Sequence, residues 1–174
     1  MNEKNSQDQV KLNTEVSALH EHESGAWQIE WPRAPLHYHT YGLLTPYFKG
    51  LQRGVLMGTQ CVDAKCPISK GQGELWIPPR ADCPDCHSRM EWVELKNPVK
   101  GEIYAYTLVE KGGTGLEIEC PYFQIDVLLE GVCTIPKGYL LDKNVKIAIG
   151  DKVQAGFETA RPTNTCLDLH WTLA

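Results

Sequence analysis

No stretch of this chain is apolar for anything near the roughly 20 residues that a bilayer-crossing helix needs, so a helical membrane span is excluded. Positive charge is also scarce: 17 Lys and Arg stand against 22 Asp and Glu, for a formal net charge of -5. Non-specific affinity for nucleic acid comes mainly from cations neutralising phosphates, so this balance disfavours a polyanion binder. The N-terminus, MNEKNSQDQVKLNTEV, lacks the basic start, apolar middle and small-residue cleavage site of a secretory signal. The expected compartment is therefore the cytoplasm. No internal repeat or low-complexity tract is present, and no acidic motif with catalytic spacing accompanies the histidines.

What is present is a chain of 174 residues, enough for one ordinary domain or two small modules sharing a core. Residues 1 to about 26 are rich in Asn, Gln, Glu, Ser and His, too poor in apolar groups to offset their ordering entropy. They are expected to form a flexible or partner-ordered arm. The stretch WQIEWPRAPLHYHTYG that follows carries Trp27, Trp31, Tyr38 and Tyr41, an unusual load of large side chains for a loop. Trp, Tyr and Arg over residues 27–53 are the types enriched in interface cores, although aromatics dominate a chain's own core as well. LLTPYFKGLQRG predicts a short amphipathic helix, with Thr45 as N-cap, Pro46 at the first helical position, and Tyr47, Phe48 and Leu51 on one side up to Gly54. VLMGTQ and GELWIPPR read as brief strands leading toward cysteines.

From residue 91 the pattern changes. EWVELK, GEIYAYTLVEK, YFQIDVLLEG, KGYLLD and KVQAGFETA are rich in β-branched and aromatic residues and are separated by KNP, KGGTG and AIGDK. Five or six short strands in this span predict a small closed barrel of the OB type, with a small sandwich as the alternative. The chain thus divides into a helical or extended N-terminal arm over residues 1–41, flexible or docked on a partner, a helix plus ribbon over 42–90, and a barrel with a C-terminal extension over 91–174. The fold class is mostly β.

The cysteines carry the chemistry. Seven in a reducing compartment point to metal ligands plus spare thiols rather than a disulfide framework. Cys61 and Cys66 enclose four residues, Cys83 and Cys86 enclose two, and 16 lie between the pairs, a spacing suited to a four-ligand ribbon. Thiolates fit the tetrahedral shell of zinc, and four of them leave no position open for water or substrate, so the role is structural. Iron held as in rubredoxin and four unrelated buried thiols are the alternatives. Cys120, Cys133 and Cys166 fall outside the pattern and read as small hydrophobes. Cys120 has no nearby His base that would make it a nucleophile. His37 and His39 alternate along the Tyr-rich segment as ligands, acid–base groups or surface side chains. His87 directly follows Cys86, an adjacency that gives poor ligand geometry. No catalytic residue is identified.

Taken in order, YFKGLQRGVLMGTQC, WIPPRADCPDCHS, MEWVELKNPVKGEIYAYTLVE and PYFQIDVLLEG resemble the DUF35 family over roughly residues 42 to 160. Two features depart from the family pattern: CVDAKC has four residues between its cysteines where two are usual, and Pro67 and His87 stand where Gly often follows a knuckle. The resemblance implies a rubredoxin-like zinc ribbon joined to an OB-fold. It also implies a small, non-catalytic subunit of a thiolase-like acyl-CoA enzyme, in a hetero-oligomer with two copies of each chain, whose partner carries the catalytic residues and most of the CoA thioester contacts. If this chain touches CoA, Arg80, Arg89, Lys96 and Lys100 near the ribbon-to-barrel junction are the candidate phosphate donors, against the reading of solvated surface charge. A nucleic-acid-binding ribbon and barrel, and an iron-based electron carrier, are the competing functions.

Overall fold

The computed structural model describes residues 10, 18–31, 37–112 and 118–174. Much of the expected N-terminal arm and part of the KGGTG turn lie outside them. Among the described residues the structure is mostly β, with one short α-helix, and no helix is long and apolar enough to cross a membrane.

Strands β1 (Ala18–Glu21), β2 (Trp27–Trp31) and β3 (His37–Thr40) form an antiparallel sheet within the span read from the sequence as a helical or extended arm. The reason lies in the alternation of WQIEW, which buries Trp27 and Ile29 on one side. These two give the segment the apolar face that the polar residues before it lack. The Trp27 N–H donates to Thr45 Oγ1 at 3.2 Å, and the Tyr41 ring stacks on Phe48 with centroids 3.5 Å apart. Trp27 and Tyr41 therefore close the chain's own structure.

Helix α1 (Thr45–Gln52) carries Pro in its first turn, as its sequence predicts, and buries Thr45, Tyr47, Gly50 and Leu51. Its N-cap is Leu44, not Thr45. The Thr45 hydroxyl instead donates to the Gly42 carbonyl oxygen at 2.6 Å, closing a 3-10 turn over Gly42–Leu44 that precedes the helix. Gly50 lets the helix approach the following strand, since a Cβ there would stand 2.6 Å from Met57 Cγ.

The ribbon sheet has the order β5–β4–β6, from β4 (Met57–Gln60), β5 (Leu75–Trp76) and β6 (Glu91–Glu94). EWVE pairs with β4 over its whole length, rather than with the strands that follow it. The fifth barrel strand is supplied by the C-terminus. β7 (Lys100–Val109), β8 (Tyr122–Leu129), β9 (Lys137–Tyr139), β10 (Lys152–Phe157) and β11 (Leu169–Leu173) form a sheet in the order β11–β10–β7–β8–β9. A parallel bridge between Leu140 and Trp171 closes it, with the Leu141 N–H donating to the Trp171 oxygen at 2.8 Å. The result is a small five-stranded barrel in which β11 takes the place that the sequence reading gave to EWVE.

A β-bulge between Ile103 and Ala105 bends β7. Inside the barrel, Ile103, Ile125, Val127, Leu140, Val153 and Trp171 are buried, and the same core runs on through Leu51, Leu56 and Ile77 of the helix and ribbon. Gly138 passes so close to the Trp171 ring that a Cβ would lie 2.5 Å from Nε1.

The ribbon and barrel are joined by backbone as well as by core. Leu75 bridges Val132, the Cys133 N–H donates to the Leu75 oxygen at 2.9 Å, and Thr134 Oγ1 both accepts from the Ile77 N–H at 3.1 Å and donates to the Ile77 oxygen. A second tie holds α1 to the C-terminal loop. Buried Asp168 accepts from the Thr163 N–H at 2.6 Å and the Asn164 N–H at 2.9 Å, and Asn164 meets the Gln52 side chain.

Candidate metal centre

Strand β4 ends by delivering Cys61 to a loop that doubles back on itself. The Asp63 carboxylate accepts the Lys65 N–H at 2.8 Å, an Asx-type turn that accommodates the two additional residues of CVDAKC. The Gly73 N–H then donates to the Cys61 oxygen at 3.0 Å. Glycine is required at that position, since a Cβ would stand 2.7 Å from the same oxygen.

The second knuckle is closed by the Cys83 N–H to the Ser88 oxygen and the His87 N–H to the Cys83 oxygen, both at 2.9 Å. An isolated bridge between Asp82 and Arg89 flanks it. His87 takes the left-handed conformation, φ 61, that favours glycine. The Ser88 hydroxyl donates across to Asp63 and links the two knuckles. That bond and the Lys65 N–H hold the Asp63 carboxyl below the usual carboxylate range.

The four sulfurs of Cys61, Cys66, Cys83 and Cys86 all lie within 4.8 Å of one another. Cys61 and Cys86 are 3.7 Å apart at sulfur, Cys66 and Cys83 3.9 Å. A tetrahedral ion with metal–sulfur bonds of about 2.3 Å has ligand–ligand edges of about 3.8 Å, whereas a disulfide needs about 2.05 Å. These edges thus match a metal shell, and all four cysteines are free.

Three of the cysteines are buried and Cys86 is half-buried, packed with Met90 and Trp76. The Ser69 N–H donates to the Cys66 sulfur at 3.4 Å, while the Ser69 hydroxyl is buried without a partner of full hydrogen-bond geometry. Hydrogen bonding from Ser69, side chain first and then backbone, brings the Cys66 thiol down to about 6. Burial pushes the Cys83 thiol up to about 12, and a neighbouring cation would favour its thiolate. Four thiols, tetrahedral edges and a donor aimed at sulfur together fit an ion such as zinc.

The remaining candidates stand apart from this cluster. Cys120 is half-buried, and Cys133 and Cys166 are exposed. Backbone register sets His37 opposite Trp31 and His39 opposite Ile29 in the N-terminal sheet. Arg80 stacks on the Trp76 ring at 4.7 Å, and Arg89 pairs with Asp82 at 3.5 Å. The supporting residues Asp63, Ser69, Gly73 and Ser88 were not singled out in the sequence. Only the D-x-K pattern of an Asx turn and the isolated Gly73 could have signalled them.

Comparison with known proteins now bears on this geometry. No family model matches the chain. Over 107 residues it is 31% identical to a DUF35 domain-containing scaffold protein of Methanocaldococcus jannaschii, spanning 61% of this chain and 70% of that protein. The chain belongs to the DUF35 family. A second DUF35 domain-containing scaffold protein, from Methanothermobacter thermautotrophicus, is 27% identical over 110 residues, 63% of this chain and 77% of its own.

Among solved structures, a DUF35 family protein of unknown function from Sulfolobus solfataricus superposes with a TM-score of 0.52 at 21% identity, over 77% of this chain and 87% of that one, and shares the fold. A chain of the Ltp2-ChsH2(DUF35) aldolase superposes with a TM-score of 0.55 at 25% identity, over 73% of this chain and 91% of that one. DUF35 membership accords with the ribbon-plus-barrel architecture and with four clustered thiols that could hold a metal ion.

Proposed function

We propose that the chain is a non-catalytic, zinc-braced scaffold subunit of a thiolase-like acyl-CoA complex that makes or cleaves a carbon–carbon bond. The observation that carries this reading is the closed shell of Cys61, Cys66, Cys83 and Cys86, whose sulfurs face one another within 4.8 Å. A shell filled by four protein thiolates leaves no site for substrate at the metal, so the ion holds structure and does not perform chemistry. Two relatives are named as scaffold proteins, and one structural neighbour is a DUF35 chain assembled with Ltp2 in an aldolase. In this reading residues 1–41 dock on the partner, while the ribbon over 42–90 and the barrel over 91–174 brace the complex and shape acyl-CoA access. β6 pairs on the ribbon side of that division. The complex works in the cytoplasm as a hetero-oligomer with two copies of each chain. Within the family, the aromatic segment with Trp27, Trp31, Tyr38 and Tyr41 favours the small subunit of benzoylsuccinyl-CoA thiolase as the finer assignment.

Purification of the native complex with mass spectrometry tests the reading directly. A thiolase-like protein is expected to co-purify, with activity only when both chains are present. Thiolysis by the homogeneous chain alone would overturn it. Cys83→Ser is expected to lower zinc content and weaken partner association while the partner's own active site is unchanged. Full metal content and full association in that variant would show that the cysteines had been misassigned. Metal analysis with a visible spectrum separates colourless zinc from iron.

A further inference from the structure

The ribbon contains one turn twice. Cys66, Pro67, Ile68, Ser69 and Lys70 match Cys83, Pro84, Asp85, Cys86 and His87. A shared Cys-Pro start says little by itself, but the backbones agree at three points. The N–H of the fifth residue donates to the carbonyl oxygen of the first, Lys70 to Cys66 at 3.1 Å and His87 to Cys83 at 2.9 Å. That fifth residue is left-handed in both turns, with φ 48 at Lys70 and φ 61 at His87. Backbone hydrogen bonds reach the first sulfur from the third and fourth residues, from Ile68 and Ser69 to Cys66 and from Asp85 and Cys86 to Cys83.

The fourth residue is where the two turns part. In one it is Cys86, which joins Cys83 in the sulfur cluster; in the other it is Ser69. A turn that sends its first and fourth side chains to the same cluster at residues 83–86 sets Ser69 where a ligand would stand. The Ser69 hydroxyl oxygen is buried, and the group it meets is the Cys66 sulfur, short of full hydrogen-bond geometry. A neutral hydroxyl does not replace a thiolate on zinc, whose protein ligands are thiolate, imidazole and carboxylate. The fourth sulfur comes from Cys61, which follows β4 and stands 3.7 Å from the Cys86 sulfur. The loop between is closed by the Cys66 N–H donating to the Asp63 oxygen at 3.0 Å, and it brings Cys61 back to the other three.

We propose that Ser69 occupies the vacant ligand position of a first knuckle built like the second, that Cys61 supplies the missing sulfur from the end of β4, and that the Ser69 hydroxyl is a donor positioning the Cys66 thiolate. That an ion fills the cluster rests on the function proposed above. The likeness of the two turns does not. Ser69 is then a positioning residue, acting on the metal through Cys66, because a hydrogen bond to a ligating sulfur disperses its charge and fixes its direction. Drawing the fourth sulfur from β4 also ties that strand, and not the first turn alone, to the second knuckle.

The test uses the full chain loaded with zinc or with cobalt(II), whose sulfur-to-metal charge-transfer band reports on the thiolates. Cys61→Ser is expected to lose metal to a chelator that leaves the unsubstituted chain loaded. Cys61→Ser combined with Ser69→Cys is expected to regain one metal per chain and the four-sulfur cobalt spectrum. Ser69→Ala alone should weaken zinc by about tenfold, the usual cost of removing a partner of a ligand. It should also move the cobalt band to lower energy, since a thiolate without its donor gives up electron density more readily. A folded double variant, checked by circular dichroism, that holds no more metal than Cys61→Ser would overturn the proposal. So would Ser69→Ala with band and affinity unchanged, and that variant decides alone if the double variant does not fold. An unsubstituted chain that takes up neither metal would remove the metal-binding reading and this proposal with it. A loaded unsubstituted chain beside an unrescued double variant removes this proposal only.

Discussion

At the scale of single residues, His87 is the clearest compromise in the ribbon. Its φ of 61 lies where a Cβ crowds the backbone, and the left-handed region costs a non-glycine residue about 1 kcal/mol. His87→Gly is therefore expected to leave metal binding intact and to stabilise the folded chain by roughly 0.5 kcal/mol, after the greater entropy of unfolded glycine is offset. Denaturant unfolding of the zinc-loaded protein measures this, and a loss of metal would instead identify His87 as a ligand.

His170 is the residue from which a pH dependence follows. Burial pushes its imidazolium below the ordinary value, while Glu158 and Asp142 pull the other way with less effect. A Cβ on Gly156 would lie 2.3 Å from His170 Nε2, so the ring packs closely against that backbone. Because the unfolded chain takes up this proton near pH 6.5 and the folded chain resists it, stability is full above that value and falls as the pH drops from it toward the folded pKa. His170→Gln is expected to flatten the dependence of the melting temperature on pH between about 7 and 5. An unchanged slope would show that another group governs the window.

At the scale of elements, the join between ribbon and barrel is the part that strand patterns leave unstated. β5 is only two residues long, yet it reaches the barrel through Leu75, Ile77 and Thr134. Thr134→Val keeps the shape of the side chain and removes both hydrogen bonds to Ile77, leaving a buried N–H and carbonyl unpaired. The expected loss is about 1–3 kcal/mol in chemical unfolding. A neutral result would mean that water or a relaxed backbone replaces the hydroxyl.

Helix α1 and the long strands β7 and β8 were legible in the sequence because each carries its signal locally: Pro in the first helical turn, and alternating or β-branched runs bounded by turns. β11 was less visible. The alternation of Leu169, Trp171 and Leu173 was there to be read, but it is short and lies at the chain terminus, where a tail is the simpler expectation. EWVE has the composition of any strand, and nothing in its residues says whether β4 or β7 will be its neighbour.

At the scale of the molecule, one core runs through helix, ribbon and barrel, whereas the cysteine cluster is a separate, small one holding Met90 and little else. With a metal ion in the proposed site, the tips of the ribbon would depend on it more than the barrel does, since a segment poor in apolar burial needs another source of order. Removing zinc with a chelator is expected to speed amide exchange over residues 61–73 and 81–90 while β7 and β8 stay protected. Exchange that rises equally in the barrel strands would show that the metal supports the whole fold.

The sequence by itself determined which four cysteines come together and the mostly β class, because both are written as spacing: two cysteine pairs at ribbon distance, and short alternating runs between turn residues. Local chemistry suffices for those. Only the tertiary structure decided that residues 18–40 form a sheet, that the C-terminus closes the barrel through the Leu140–Trp171 bridge, and that Trp27, Lys49, Arg53 and Trp92 face one cleft. Each of these brings together residues far apart in the chain. Their proximity is set by which apolar faces can be buried against one another at once, and no single segment carries that information.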